Sequence, residues 1–323
     1  MPPRGGSLAS LCERSRPLGR SDVRVGALGI GTAALTVPYG APGAQRPAPP
    51  AQSVATAIER ALARGVSLID TAPAYADSEA AVGAACEGAD CVIATKLAIP
   101  PQGWEALDRA ATAEHVRRSA ERSRRLLRRE RIDVLAVHNA DRVLIEHGDV
   151  VAALETLRDE GIVRACGASV YGEDNALAAI ECPLFDAVQV AHSALDRRPE
   201  RTLAAAAQRS GTSLIGRSVL LRGVLSTAGR ELGGAFAPLR AAADAFRAAF
   251  DCSWEELPGA AVAFALTRPG ISATLLGPRD VEELEELLDG AERFLDAARA
   301  LDGHWGEGLD ARLLDPSRWA ELA

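Results

Sequence analysis

Short apolar runs that each close on a polar or glycine-bearing stretch recur along the chain. They fall at 25–32 (VGALGIGT), 66–72 (VSLIDTA), 91–96 (CVIATK), 132–139 (IDVLAVHN), 163–171 (VRACGASVY), 185–193 (FDAVQVAHS), 212–219 (TSLIGRSV) and 271–279 (ISATLLGPR). The runs are continuous rather than alternating, as in strands buried on both faces, and such strands belong to parallel sheets. Helix-length segments lie between them. In 53–65 (SVATAIERALARG), Val54, Ile58 and Leu62 recur every four residues, Glu59, Arg60 and Arg64 face elsewhere, and Gly65 supplies the stop. The segment 149–161 repeats the design, with Val150, Leu154 and Leu157 inward and Gly161 at its end. Eight strands alternating with helices over about 300 residues predict an α/β chain closed into a (βα)8 TIM barrel.

An open doubly wound sheet is the alternative, but it calls for Gly-x-Gly-x-x-Gly leading from the first strand into a helix. Here the glycines fall at 26, 29 and 31, and the residues after them read as a loop. The stretch 36–52 (TVPYGAPGAQRPAPPAQ) carries five prolines and cannot stay helical. A second long connection is expected at roughly 223–250. No linker divides the chain, so 16–323 reads as one domain and 1–15 as a disordered tail.

Composition narrows the function classes. With 48% hydrophobic and 25% charged residues the 323-residue chain is of globular type, and its net charge of −8 argues against general affinity for nucleic acid or anionic membranes. The arginine-dense segment EHVRRSAERSRRLLRRERIDVL places Glu114 and Glu121 four residues before Arg118 and Arg125, the spacing of ion pairs on a solvated helix face. Six scattered cysteines form no Cys-x-x-Cys and no metal-ligand spacing, which fits a reducing compartment. No run reaches the about 18 apolar residues of a membrane span, nor is there a signal-peptide core. A cytoplasmic protein, monomeric or weakly homo-oligomeric, is expected.

Lys96 is the only lysine among 36 basic residues, the rest being arginine. A chain so biased keeps lysine where a compact ammonium is needed. In a barrel, polar residues at the C-terminal strand ends share one mouth. Those ends offer Asp70, Lys96 and His138, and Tyr75 follows Asp70 by five residues. Strands about 4.8 Å apart would bring the four together. Singly, each has a plain structural explanation, as a turn starter, a rim cover or a core histidine. Jointly they suggest acid catalysis by a phenol: Lys96, held by Asp70, lowers the pKa of Tyr75, and His138 orients a carbonyl oxygen.

The segments DTAPAYADSE, VIATK, IDVLAVHN, GIVRACGASVY, FDAVQVAHSALDRR, GRSVLLRGVLS and LLGPRDVEELEELL resemble the successive motifs of the aldo-keto reductase superfamily, over about Arg16 to Leu288. The resemblance implies a (βα)8 barrel whose bottom is closed by a short N-terminal hairpin turning at GRSD. It implies a tetrad of Asp70, Tyr75, Lys96 and His138, and hydride transfer from NADPH or NADH to a carbonyl. It carries cofactor binding to Gly31, Thr32, Ser169, Gln189, Arg217, Ser218, Leu220, Gly277, Arg279, Glu283 and Glu286. Within that set, Ser169 and Gln189 would hold the nicotinamide carboxamide, Arg217 would stack on the ring and Glu286 would meet adenine. Val170 departs from the pattern, standing where relatives often place an asparagine. Arg279 favours a 2′-phosphate and Glu283 opposes one, with the balance leaning to NADPH. Asp280 and Glu283 also fit a helix capping box.

Tyr39, Trp104, Asn139 and Tyr171 are candidate mouth residues. An aromatic content of 4% disfavours a broad polycyclic pocket and favours an aldehyde, a ketone or a keto-sugar, with a place in sugar metabolism. Rival readings are a Schiff-base aldolase using Lys96, a non-catalytic nicotinamide-binding redox sensor and, least favoured, a metal-dependent hydrolase, for which His192 is the other histidine to consider.

Overall fold

The computed structural model describes residues 7–13, 16–41, 43, 45–50 and 52–322. Strands β1 (Arg16–Pro17) and β2 (Arg24–Val25) form an antiparallel pair. Eight further strands follow: β3 (Leu28–Gly31), β4 (Leu68–Asp70), β5 (Val92–Lys96), β6 (Ile132–Val137), β7 (Val163–Ser169), β8 (Ala187–Ala191), β9 (Ser213–Arg217) and β10 (Ala273–Leu276). All pair in parallel and in chain order, and β10 returns to β3, so the barrel is closed. Each of the eight apolar runs thus contains one barrel strand.

Alternate residues of these strands point inward, and their side chains fill the barrel: Leu68, Val92, Ala94, Val134, Ala165, Ala187, Ile215, Ala273 and Leu275 form one cluster. Leu18, Val23 and Val25 of the hairpin join that cluster, so the hairpin closes the bottom of the barrel. Its turn is built by GRSD: Leu18 N–H donates to Val23 O at 2.8 Å, and Gly19, at φ +59°, lies where a Cβ would be 2.1 Å from Asp186 O. No side chain fits there. The opposite faces of the strands pack under the surrounding helices in two larger apolar clusters. The expected helices span Gln52–Ala63 and Asp149–Asp159. Among the described residues no helix is long and apolar enough to cross a membrane.

Three expectations are corrected. Part of the 1–15 tail is ordered: Leu8–Cys12 form a helical turn with Leu8 and Cys12 buried, and Leu8 N–H donates to Glu292 Oε2 at 2.7 Å. Two apolar residues four apart are enough to dock this turn against the helix Val281–Ala300. Residues 1–6, 14 and 15 of that tail lie outside the described residues. The chain after β3 does not pass directly into a loop, because Ala33–Thr36 make a helical turn before the first proline at 38. The connection at 223–250 contains the helix Ala237–Ala249, which buries Leu239, Ala242, Ala243 and Phe246. That apolar stripe comes after a glycine-rich stretch that hides it.

Candidate active site

Asp70 is the last residue of β4, in register with Gly31 of β3 and Ala94 of β5. The chain then turns sharply: Tyr75 N–H donates to Ala72 O (3.0 Å), Ser78 N–H donates to Tyr75 O (3.0 Å), and Ala76 takes a left-handed φ of 47°. A buried hydroxyl relay fixes the turn. Thr71 Oγ1 donates to Ser78 Oγ (2.8 Å), Ser78 Oγ to Thr32 Oγ1 (2.7 Å), and Thr32 Oγ1 to Asp70 O (3.1 Å). Thr32 therefore holds Asp70 from behind and does not line the adjoining cavity, which corrects its expected place among cofactor contacts.

Lys96 ends β5 and is almost fully buried. Its ammonium donates to Asp70 Oδ1 (2.9 Å), Asp70 Oδ2 (2.8 Å) and Thr71 O (2.8 Å). An ammonium has three donors, so all are used. Lys96 acts on Tyr75 through space instead, with Nζ 5.2 Å from the ring centroid. His138 meets the same ring edge to face, at 5.9 Å between centroids and 89°. The four expected residues are therefore together.

Their electrostatics differ from expectation in one respect. Burial raises the Tyr75 pKa above the ordinary phenol value, outweighing Lys96, while Asp70 adds to the rise. Seen from Tyr75, the ammonium and its carboxylate act in opposite directions. The phenol is thus a firmly held proton at neutral pH, not an unusually acidic one. His138 is pushed down to about 3, first by burial and then by Lys96 and Arg217, so its imidazole is neutral.

Ser169 and Gln189, in register on β7 and β8, lie beside this group. Gln189 Nε2 donates to Asp70 Oδ1 at 2.5 Å, which leaves Gln189 Oε1 buried and without a partner. A buried orphan acceptor beside a cavity fits a ligand carrying an amide N–H. That is the chemistry of a nicotinamide carboxamide, and on this observation the residues fit the implied cofactor. Arg217, at the end of β9, places its guanidinium 4.1 Å over the Tyr171 ring and donates to Val170 O (2.9 Å).

Asp70, Tyr75, His138, Ser169, Gln189 and Arg217 line one cavity of about 1360 Å³, which runs from Tyr75 and His138 past Arg217, Ser218 and Leu220 to Gly277 and the helix Val281–Ala300. The three tyrosines, 39, 75 and 171, all line it, as does Asn139. Trp104 does not line it: its ring packs edge to face on His115 at 5.4 Å, which corrects its assignment to the mouth. At the far end half of the expected capping box forms: Asp280 Oδ1 accepts from Glu283 N–H (2.8 Å), but the Glu283 carboxylate turns to the residue before the cap. Glu283 Oε2 in turn accepts from Arg279 N–H (2.8 Å) and pairs with Arg279 Nε (3.4 Å). Glu282, Glu285, Glu286 and Asp289 line the same end.

Two features escape sequence reasoning. Arg222 lines the cavity 4.9 Å over the Tyr39 ring, with its Nε buried and unpartnered. Ser218, Leu221 and Arg222 all adopt left-handed φ (64°, 44° and 52°), which sequence does not signal for such residues. His192 lies buried, bound to Glu200 Oε1 at 2.9 Å, and among the described residues no three His, Cys, Asp or Glu side chains group as a metal site requires.

Comparison with known proteins agrees with this geometry. A model of the aldo/keto reductase family matches residues 27–300. An L-galactose dehydrogenase of Arabidopsis thaliana is 25% identical over 285 residues, covering 84% of this chain and 86% of its own. An NADH-specific methylglyoxal reductase of Escherichia coli is 28% identical over 226 residues, covering 65% and 68%. The holo structure of an aldo-keto reductase from Bacillus halodurans superposes with a TM-score of 0.68 at 21% identity, covering 90% of this chain and 99% of that one, a likeness of fold.

Proposed function

The chain belongs to the aldo/keto reductase family and is an oxidoreductase, and from that premise we propose that it reduces the carbonyl of a small polar aldehyde, ketone or keto-sugar at the Asp70, Tyr75, Lys96 and His138 cluster. The observation that carries this reading is the double use of one carboxylate. Asp70 binds both the Lys96 ammonium and the Gln189 amide, so the cation beside the Tyr75 ring and the cofactor-facing carboxamide receptor are held by one carboxylate.

A nicotinamide dinucleotide supplies the hydride when bound. Gln189 Oε1 and Ser169 receive its carboxamide, and Arg217 flanks the ring. Tyr75 gives its proton to the carbonyl oxygen as negative charge develops there. An alkoxide is far more basic than a phenolate, so a raised phenol pKa does not prevent the transfer. Neutral His138 donates one N–H to the same oxygen and orients it. The Lys96–Asp70 pair keeps the site's net charge near zero before reaction, leaving the ammonium to stabilise the tyrosinate that forms.

Sequence alone leans to NADPH; the charges around the far end of the cavity favour NADH instead. Arg279, the cation that would meet a 2′-phosphate, is engaged by Glu283, and Glu282 and Glu286 also line that end, while Glu285 and Asp289 there are paired with Arg60 and Arg64. The relatives' names, an NADH-specific methylglyoxal reductase and an L-galactose dehydrogenase, fit both this preference and a small polar substrate. A Schiff-base role for Lys96 is disfavoured, because its three donors are engaged and it does not line the cavity. Fluorescence titration with NADH and NADPH, followed by a panel of 2-oxoaldehydes and sugars, tests the proposal. Absence of binding to both nucleotides would sink it.

A further inference from the structure

Six cysteines are present, all free and buried, and their surroundings are not alike. Burial pushes Cys12 up to about 11 and Cys166 up to about 12, and it also raises Cys182 and Cys252. These four are small apolar fillers. Cys86 and Cys91 differ, because they flank one tight surface turn. Ala89 N–H donates to Cys86 O and Cys91 N–H to Ala89 O (both 3.1 Å), and the intervening Glu87, Gly88 and Asp90 are not buried.

Arg129 completes the group. Its Nη2 donates to Cys91 Sγ at 3.3 Å and also to Cys86 O (3.0 Å) and Ala89 O (3.3 Å), so one guanidinium fixes both the turn and the sulfur. The Cys86 thiol, with Arg129 behind it, holds Cys91 below the ordinary thiol range in spite of burial. A thiol held below its ordinary range beside a cation, with a second thiol at the other end of the same turn, is the arrangement of a peroxide-reactive pair. Cys91 is 6% exposed.

We propose that Cys86 and Cys91 form a redox-active dithiol, with Cys91 as the attacking sulfur and Cys86 as the resolving one. The oxidant is a hydroperoxide. Cys91 thiolate attacks the peroxide oxygen, forming the sulfur–oxygen bond of a sulfenic acid as the oxygen–oxygen bond breaks and hydroxide or alkoxide departs. Cys86 then attacks Cys91 sulfur, the sulfur–oxygen bond breaks, and water leaves with the Cys86 proton. Two thiols are oxidised to one disulfide and one peroxide is reduced. The link would join the end of the helix Ser78–Ala85, which starts three residues after Tyr75, to the start of β5, which ends in Lys96.

The test uses the full-length protein treated with hydrogen peroxide, then alkylated in denaturant and peptide-mapped by mass spectrometry. The expected result is joint loss of two thiols and a peptide bearing residues 86 and 91 that is two hydrogens lighter. Cys86→Ser should stop at a sulfenic acid on Cys91, trapped by dimedone, and Cys91→Ser should leave Cys86 unmodified. The proposal is overturned if folded wild-type protein oxidises Cys91 no faster than Cys12, Cys166, Cys182 and Cys252, or if Cys91 oxidises without linking to Cys86. Both readings come from wild-type protein and hold even if a variant folds poorly.

Discussion

The cavity carries an ion pair at each end, and the two are built on opposite terms. Asp70 and Lys96 have side chains only 7% and 2% exposed, and every donor of the ammonium is used. Arg279 and Glu283 are 25% and 32% exposed and meet at 3.4 Å on the rim. Removing one partner of a buried pair strands a charge where water cannot reach it, at about 3–5 kcal/mol. Removing one partner of an exposed pair costs about 0–1 kcal/mol. The inner pair is therefore fixed by the fold, whereas the outer pair is free to be retuned for selectivity.

The largest expected effect tests the inner pair. Lys96→Met should abolish carbonyl reduction and lower unfolding stability by about 3–5 kcal/mol, read from urea denaturation. Adding Asp70→Asn to it removes the stranded charge, so the double variant should regain much of the stability and none of the activity. If the single variant is as stable as wild type, the pair is not obligate and the contrast fails. Tyr75→Phe separates chemistry from packing. Reduction should fall about 10²–10⁴-fold while nucleotide binding and stability stay close to wild type, as steady-state rates, titration and denaturation will show.

Acidity provides a smaller and more selective probe. Reduction requires the protonated phenol, and burial raises Tyr75, so the rate should hold through neutral pH and decline only above the ordinary tyrosine value of about 10. His138 is held down to about 3. A depressed histidine contributes stability that is complete above its unfolded value of about 6.5 and is lost as pH falls towards 3. His138→Gln should accordingly lose less stability than wild type between those limits. An inflection in the wild-type rate near pH 6.5 would contradict a neutral, buried His138.

The inner end is far more legible in the sequence than the outer one, for physical reasons. Strands buried on both faces must be continuously apolar, so all eight stand out, and a closed barrel sends their polar ends to one mouth. Asp70, Lys96 and His138 follow from that rule, and Tyr75 from its short distance to Asp70. Balances of opposing terms are not legible. The direction of the Tyr75 shift depends on how far burial outweighs a compensated ammonium, and the conflict of Arg279 with Glu283 depends on which partner each one finds. Thr32 is misplaced by sequence because adjacency to a strand end does not say which way a side chain faces. Arg222 escapes it because a left-handed backbone at arginine has no residue signature.

The smallest predicted effect bears on the outer pair directly. In Glu283→Gln the amide oxygen can still accept from Arg279 N–H, so the helix start is kept and stability should move by less than about 1 kcal/mol. What changes is the charge: Arg279 loses its counter-ion and the rim loses one carboxylate. At partial exposure such a change corresponds to about 1 kcal/mol in favour of a 2′-phosphate, so NADPH should gain about fivefold over NADH in paired titrations. Neighbouring carboxylates at 282, 285 and 286 line the same end and limit the gain. Raising ionic strength should shrink the difference, because this end is open to solvent. An unchanged ratio at low salt would place the dinucleotide's 2′ position elsewhere, and the outer ion pair would then be a helix cap and nothing more.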